Sequence, residues 1–336
     1  MKTTEIGNTS LKISQMTLGC WCFGGDSNSY WGAQSQEECN ALVRTAIERG
    51  INCFDTAFMY NDGAAERSLG KAIQGGLREK MIICNKIPFQ PREALPTYEK
   101  LVRNSLERLG TDYVDMLLIH WPSNDKDLLR ANLEHLQKMK ELGMARHIGV
   151  SNFGVGQMEI VREMGIEICI NEIAYNMMHR GAEMAVFPYA RKHNIGIMAY
   201  MPLMQGILTG KYASLEEIPI ARRRTLHFDS STNDQIRHGG KGMEKEFKQF
   251  LTDLHALSEQ SGLSCSVLSI AWMLTHQEVS TVLGGCRNLK QLEENITAFE
   301  AQLQDDLVNR LDEISQPIAA QCGANCDLWQ WNSRIW

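Results

Sequence analysis

The chain has 336 residues, 43% of them hydrophobic and 22% charged, with a formal net charge of -6. That apolar content excludes a disordered chain, and the surplus of acid over base excludes the cationic surface that nucleic acid requires. No basic segment followed by an apolar run opens the sequence, and no later stretch approaches membrane-spanning length, so we expect a cytoplasmic protein without a membrane partner.

Taken in chain order, Thr3–Ile6 and Leu11–Ile13 flank Gly7-Asn8, which predicts a hairpin over about residues 1–14 that plugs the bottom of a barrel. Eight short apolar runs follow: Gln15–Cys20, Ile51–Asp55, Met81–Lys86, Met116–His120, His147–Ser151, Ile168–Glu172, Ile195–Tyr200 and Thr281–Gly285. Stretches of helical period separate them. Ser35 with Glu38 reads as a capping box, and the apolar face Leu42, Val43, Ala46 and Ile47 stops at Gly50. Leu101, Val102, Leu106 and Leu109 before Gly110, and Leu129, Leu133, Leu136 and Leu142 before Gly143, repeat the device. This alternation predicts parallel strands joined by crossover helices, an α/β fold of the (β/α)8 TIM barrel type forming one domain over residues 1–336. The polar segment Lys211–Gly240, with Arg222, Arg223 and Arg224, is too long for an ordinary connection and is expected to cover a ligand. The last barrel helix is placed at roughly Asn288–Phe299, and a C-terminal tail from about residue 315 carries Trp329, Trp331 and Trp336.

In such a barrel the C-terminal ends of the strands converge on one mouth, so the polar residues there carry the information. The second run ends at Asp55 with Tyr60 just beyond, the third at Lys86, and the fourth at His120-Trp121-Pro122. Each residue alone has a plain reading: a helix cap, a packed loop tyrosine, a surface charge, a core histidine. Four proton-active groups at successive strand ends do not share one. The order and context of Asp55, Tyr60, Lys86 and His120 resemble the catalytic tetrad of the aldo-keto reductases. The likeness extends through Gly149-Val150-Ser151-Asn152-Phe153, Asn171-Glu172 with Tyr175-Asn176, the run Tyr200–Tyr212, and Gly285-Cys286-Arg287-Asn288 followed by Gln291, Glu294 and Asn295.

The chemistry suits those residue types. A tyrosine of ordinary pKa, about 10, is a poor proton donor at neutral pH, and a neighbouring Lys86 cation is expected to lower that value and make Tyr60 a usable general acid. Asp55 would hold Lys86, and His120 would orient the substrate carbonyl, so that donors already face the oxygen on which charge grows. The resemblance implies a nicotinamide dinucleotide as cofactor. Ser151, Asn152 and Glu172 would hold its carboxamide and Tyr200 would stack on the ring, beside Cys20, Trp21 and Asp55. Met201, Pro202, Leu203, Gln205, Gly206 and Lys211 would follow the pyrophosphate, and Gly285, Arg287, Gln291, Glu294 and Asn295 would meet the adenosine end. Guanidinium geometry matches phosphate, so Arg287 favours NADPH/NADP+ over NADH. At residue 172 the sequence departs from the family, which has glutamine there: an ionised glutamate accepts hydrogen bonds but donates none.

Trp21, Tyr60, His120 and Trp121 are the expected walls of the substrate pocket, with Trp31 and the tail tryptophans beside them, suiting a small-molecule carbonyl substrate: an aldehyde, a ketone or a sugar-derived carbonyl. Potassium-channel β subunits of the same family supply an alternative, a cofactor-bound regulator with little turnover. A Schiff-base aldolase using Lys86 is a further barrel chemistry, testable by borohydride trapping. Gly206-x3-Gly210-Lys211 is one residue short of a Walker loop, and no Gly-x-Gly-x-x-Gly opens the chain. Neither Cys20-x-Cys22 nor Cys322-x3-Cys326 has a zinc or iron-sulfur spacing, so the cysteines are read as reduced core thiols and no metal is expected.

Overall fold

Strands covered on both faces read as largely apolar runs, and Ile82–Ile87, buried at every position with Asn85 and Lys86 near its end, is one of them. The computed structural model describes residues 1–336. A two-stranded antiparallel hairpin, β1 (Thr3–Glu5) and β2 (Lys12–Ser14), precedes everything else. Then follow β3 (Met16–Gly19), α1 (Gln36–Glu48), β4 (Cys53–Asp55), α2 (Ala64–Ala72), β5 (Ile82–Ile87), α3 (Tyr98–Leu109), β6 (Val114–Ile119) and α4 (Lys126–Glu141). The second half comprises β7 (Ala145–Ser151), α5 (Val155–Glu163), β8 (Ile170–Ala174), α6 (Val186–Lys192), β9 (Gly196–Tyr200), α7 (Glu244–Ser261), α8 (Cys265–Met273), β10 (Val279–Gly285), α9 (Leu289–Glu300) and α10 (Asp305–Cys322). Strands β3 to β10 are parallel and close on themselves through β10 and β3, forming the eight-stranded (β/α)8 barrel.

Local signals place the helix ends. Ser35 and Glu38 form the reciprocal capping box of α1, and Gly110 ends α3 in a left-handed conformation. Side chains alternate along each strand, which divides the apolar residues into two sets. One set of 82 buried residues fills the space between strands and helices. The other, of 11, packs inside the barrel: Cys53, Ile82, Cys84, Met116, Leu118, Cys169, Ile170, Met198 and Leu283, closed from below by Ile6 and Ile13 of the hairpin. Two residues further along the same inward-facing rows come Asp55, Lys86, Glu172 and Tyr200, so strand periodicity alone lifts the polar groups to the top of the barrel.

In the sequence α1, α3, α4 and α9 are marked individually, and of the rest α7, α8 and α10 show most clearly why a helix goes unmarked. The apolar residues Phe247, Phe250, Leu251, Leu254 and Leu257 of α7 recur at helical spacing before Gly262, a readable signal overlooked in a polar neighbourhood. Helix α8 is apolar nearly all round and has no periodic face to detect. Helix α10 corrects the tail boundary: it runs through residue 315 to Cys322, despite Pro317 in its interior, because its buried face of Leu311, Ser315, Ile318 and Cys322 packs toward α7. The irregular tail therefore begins at Gly323. No helix is long and apolar enough to cross a membrane.

The hairpin turn sits hard against the barrel floor. Gly7 has φ +53, and a Cβ there would lie 2.4 Å from the Cys169 carbonyl oxygen. We expect Gly7→Ala to destabilise the fold by about 1–3 kcal/mol through strain and overpacking, read as a lowered midpoint in urea unfolding.

Candidate active site

The geometry of the site starts from a lysine that has no access to water. The Lys86 side chain is fully buried at the end of β5, and its Nζ donates to Asp55 Oδ1 at 2.5 Å and to Glu172 Oε2 at 3.0 Å. Burial alone would drive the ammonium to lose its proton, but Asp55 and Glu172 more than reverse this and hold its pKa well above the ordinary value. Asp55 is in turn raised by burial against the pull of Lys86, and Glu172 is pushed up to about 8 by burial and by Asp55.

Tyr60 lies beyond β4 in a tight turn that continues through left-handed Asn61 and Asp62. Asn61 Nδ2 ties this turn to the carbonyls of Trp21 at 3.0 Å and Phe23 at 2.9 Å, joining the loop after β3 to the Tyr60 turn. Lys86 Nζ is 5.2 Å from the centre of the Tyr60 ring, which stacks on Trp21 at 5.6 Å and meets His120 edge-on at 5.7 Å. The expected lowering of the phenol pKa does not follow. Burial outweighs the Lys86 cation, and Asp55 and Glu172 add to the rise, so the phenol is held well above its usual value and keeps its proton. His120 is driven the other way, down to about 3, by burial and by Lys86, and is therefore neutral.

Beside this cluster Tyr200 Oη donates to Asn152 Oδ1 at 2.7 Å, and Asn152 Nδ2 donates to the His120 carbonyl at 3.1 Å and to Ser151 Oγ at 3.0 Å. Asn152 takes φ 63, a left-handed conformation that asparagine tolerates better than most residues. The chain after β9 also turns through positive φ at Met201, Met204, Gln205 and Gly206.

These groups gather around one cavity of about 1130 Å³. Of the residues expected at the cofactor and substrate, Trp21, Asp55, Tyr60, His120, Trp121, Ser151, Asn152, Glu172 and Tyr200 line it, as do Met201, Pro202, Leu203, Gln205, Gly206, Lys211, Gly285, Arg287, Gln291, Glu294 and Asn295. Two do not. Lys86 is sealed behind its carboxylates, and Cys20 turns away into the core with its thiol against the Leu18 carbonyl at 3.6 Å. Ser264, the N-cap of α8, and Ser266 in its first turn also line the cavity, and neither is singled out by the sequence. From the long segment only Lys211 and Arg222 reach the lining; the Arg222 guanidinium lies 4.3 Å from the centre of the Tyr30 ring and 4.2 Å from that of Trp31.

The tail crosses the mouth and is fastened. Arg334 pairs with buried Asp327 at 2.7 Å and lies 3.8 Å above the Trp121 ring, Trp329 lines the cavity, and Trp336 packs so closely on Gly154 and Gly156 that side chains there would collide with it. All ten cysteines are free and buried. Cys322 does not face Cys326 as a pair: its nearest ligand-type atoms belong to His179 and His227, and His227 already bonds Thr225 Oγ1 at 3.1 Å and the Met178 carbonyl at 2.8 Å.

A parallel barrel whose mouth holds tyrosine, lysine, aspartate and histidine around one cavity has the constitution of a carbonyl oxidoreductase. The aldo/keto reductase family model matches residues 15–316, and the chain belongs to that family. It is an oxidoreductase acting on CH-OH and C=O groups, a family that works with nicotinamide cofactors. The chain is 31% identical to the aldo-keto reductase YhdN of Bacillus subtilis, over 96% of this chain and 97% of that one. It is 29% identical to a putative voltage-gated potassium channel subunit beta of Schizosaccharomyces pombe, over 92% of each. It is 26% identical to the NADH-specific methylglyoxal reductase of Escherichia coli, over 95% and 99%. Among solved structures, the glycerol dehydrogenase AKR11B4 from Gluconobacter oxydans superposes with a TM-score of 0.75 at 26% identity, covering 96% of each chain.

The raised Glu172 carboxyl has a stability consequence. Its folded-state pKa of about 8 lies above the unfolded value, so the folded chain binds the extra proton between the two. Stability attributable to this group is therefore present at low pH and declines as pH rises from about 4.5 to 8. Urea unfolding across that range should show the decline, and Glu172→Gln should flatten it.

Proposed function

We propose that the chain reduces a small carbonyl compound to an alcohol with NADPH, and catalyses the reverse reaction, with Tyr60 as general acid and base. The observation that carries this reading is the convergence of a protonated phenol and a neutral imidazole on one cavity wall, with a carboxylate-bound ammonium sealed 5.2 Å from the centre of the phenol ring. The cavity suits a dinucleotide. Gln205 Nε2 and Arg222 Nη1 are buried donors without a protein partner on residues that line it, as anionic pyrophosphate oxygens would require.

A reduced nicotinamide bound there supplies the hydride. Tyr60 holds the proton and passes it from Oη to the carbonyl oxygen as negative charge grows on that atom. Lys86 stabilises the phenolate that remains, and Asp55 keeps the ammonium charged and in place. Neutral His120 orients the carbonyl by a hydrogen bond without adding charge to the site. Ser151, Asn152 and Glu172 would hold the carboxamide, Tyr200 would pack on the ring, and the run from Met201 to Lys211 would follow the pyrophosphate. Cys20, turned into the core, has no part in this arrangement.

Trp21, Trp121 and Trp329 give the substrate end aromatic walls, which suits an apolar aldehyde or the C-H faces of a sugar-derived carbonyl. Arg287 donates one bond from Nη1 to the Trp31 carbonyl at 2.8 Å, leaving the rest of its guanidinium to meet a 2′-phosphate, which supports NADPH. The potassium channel relative supports a second reading, a dinucleotide-bound regulatory subunit with little turnover. An assay following NADPH oxidation across aldehydes, ketones and oxidised sugars separates the two, since the regulator would bind the dinucleotide and turn over none of them.

We expect Tyr60→Phe to retain NADPH binding and to lose about 10²–10⁴-fold in kcat; rates like those of the wild type would overturn the proton-donor role. Arg287→Ala should weaken NADPH by about tenfold relative to NADH, measured as the two Kd values, and equal losses for both would remove Arg287 from the 2′-phosphate.

A further inference from the structure

The bonds to Lys86 leave a charge unanswered. One buried ammonium stands between two buried carboxylates, Asp55 at 2.5 Å and Glu172 at 3.0 Å, and every neighbouring element supplies only neutral or acidic groups. Strand β4 contributes Asp55 and Cys53, β5 contributes Cys84 and Lys86, β7 contributes Ser151 with Asn152 after it, and β9 contributes Tyr200. The turn after β4 adds the protonated Tyr60, and neutral His120 follows β6. Lys86 is the only cation in the group. With both carboxylates ionised the cluster carries one uncompensated negative charge away from water, a costly arrangement that one proton removes.

Glu172 is the carboxylate placed to take that proton. Both carboxylates line the cavity, but Asp55 makes the shorter bond to Lys86, and Glu172 makes the longer one and lies among Ser151, Asn152 and Tyr200, the residues proposed to hold the nicotinamide. Its affinity for a proton is raised to about 8, within reach of ordinary conditions. A protonated carboxyl has one donor and one acceptor face, the same complement as a carboxamide, so the protonated residue can both give to and take from a carboxamide ligand. Ionised, it only accepts and adds a negative charge at the cavity wall.

The two redox forms of a nicotinamide differ by one positive charge on the ring, and a nearby negative charge in a dry site distinguishes them. We propose that Glu172 sets the enzyme's relative affinity for the two redox forms of the dinucleotide: ionised, it selects the oxidised, cationic form, and protonated, it removes that selection and leaves the site matched to the neutral reduced form. The inference rests on the dinucleotide reading above. By linkage, the oxidised dinucleotide binding to the protonated site releases the Glu172 proton to solvent, while the reduced form leaves it in place. Alkaline conditions thus bias the site toward alcohol oxidation and mildly acidic ones toward carbonyl reduction.

The test is a titration of NADPH and NADP+ binding to the intact protein from about pH 6 to about pH 9, by calorimetry or by quenching of tryptophan fluorescence. In the wild type the ratio of the NADPH Kd to the NADP+ Kd should rise about tenfold across this range, and in Glu172→Gln it should stay flat. The same rise in both proteins overturns the role of Glu172, and so does a flat ratio in the wild type. Failure of the wild type to bind either form at any pH overturns instead the dinucleotide reading on which the inference rests. Infrared spectra of the ligand-free chain give a readout independent of the variant's fold. A protonated carboxyl stretch in the wild type should vanish as pH rises through about 8, and its absence at the acid end would also overturn the proposal.

Discussion

A lysine ammonium sealed from water persists only if carboxylates answer it, and the arrangement at the mouth of this barrel follows from that requirement. Asp55 reaches Lys86 from the neighbouring strand β4, and Glu172 reaches it from β8 across the barrel interior. The ammonium thereby links two strands that are not neighbours, above an interior otherwise packed with apolar side chains. One ionised carboxylate balances the ammonium. A second ionised carboxylate leaves one negative charge in excess, and the site's proton affinities descend from this conflict.

The same environment sorts the acid and base roles. Burial pushes the Tyr60 phenol up and the His120 imidazole down, so both are neutral and protonated in the way a carbonyl reduction needs, one as a proton donor and one as a hydrogen-bonding guide. The lysine does not act by making the phenol acidic at rest. In the proposed reaction it would act when the proton leaves, because a phenolate forming beside a fixed ammonium is stabilised far more than the neutral phenol was. A preorganised cation in a dry site stabilises the charged state without further rearrangement, and the cost of holding it there is met in folding.

The long segment and the tail give this centre its enclosure. Arg222 lies over Tyr30 and Trp31, and Arg334, pinned by Asp327, lies over Trp121, so cation-π contacts hold aromatic walls on two sides of the cavity. Gly154 and Gly156 leave the space that Trp336 fills, which anchors the far end of the tail against the start of α5. The cavity is thus bounded by residues from opposite ends of the chain, Trp21 and Trp329 among them.

The sequence by itself determined the barrel, because short apolar runs alternating with helical faces admit few other packings, and it pointed to four proton-active residues, because they sit at or just beyond the ends of such runs. Helices α7 and α10 went unread although α7 shows a helical face; helix α8 had no face to read, being buried nearly all round. Only the tertiary structure decided the protonation of the site. Glu172 lies 86 residues from Lys86 along the chain, and nothing local places its carboxylate on that ammonium. The direction of a pKa shift depends on the sum of burial and every nearby charge, and that sum exists only once the strands have closed. For the same reason Cys20 could be assigned to the cofactor from its position after a strand, while its side chain turned inward: one residue along a strand end reverses the face it presents.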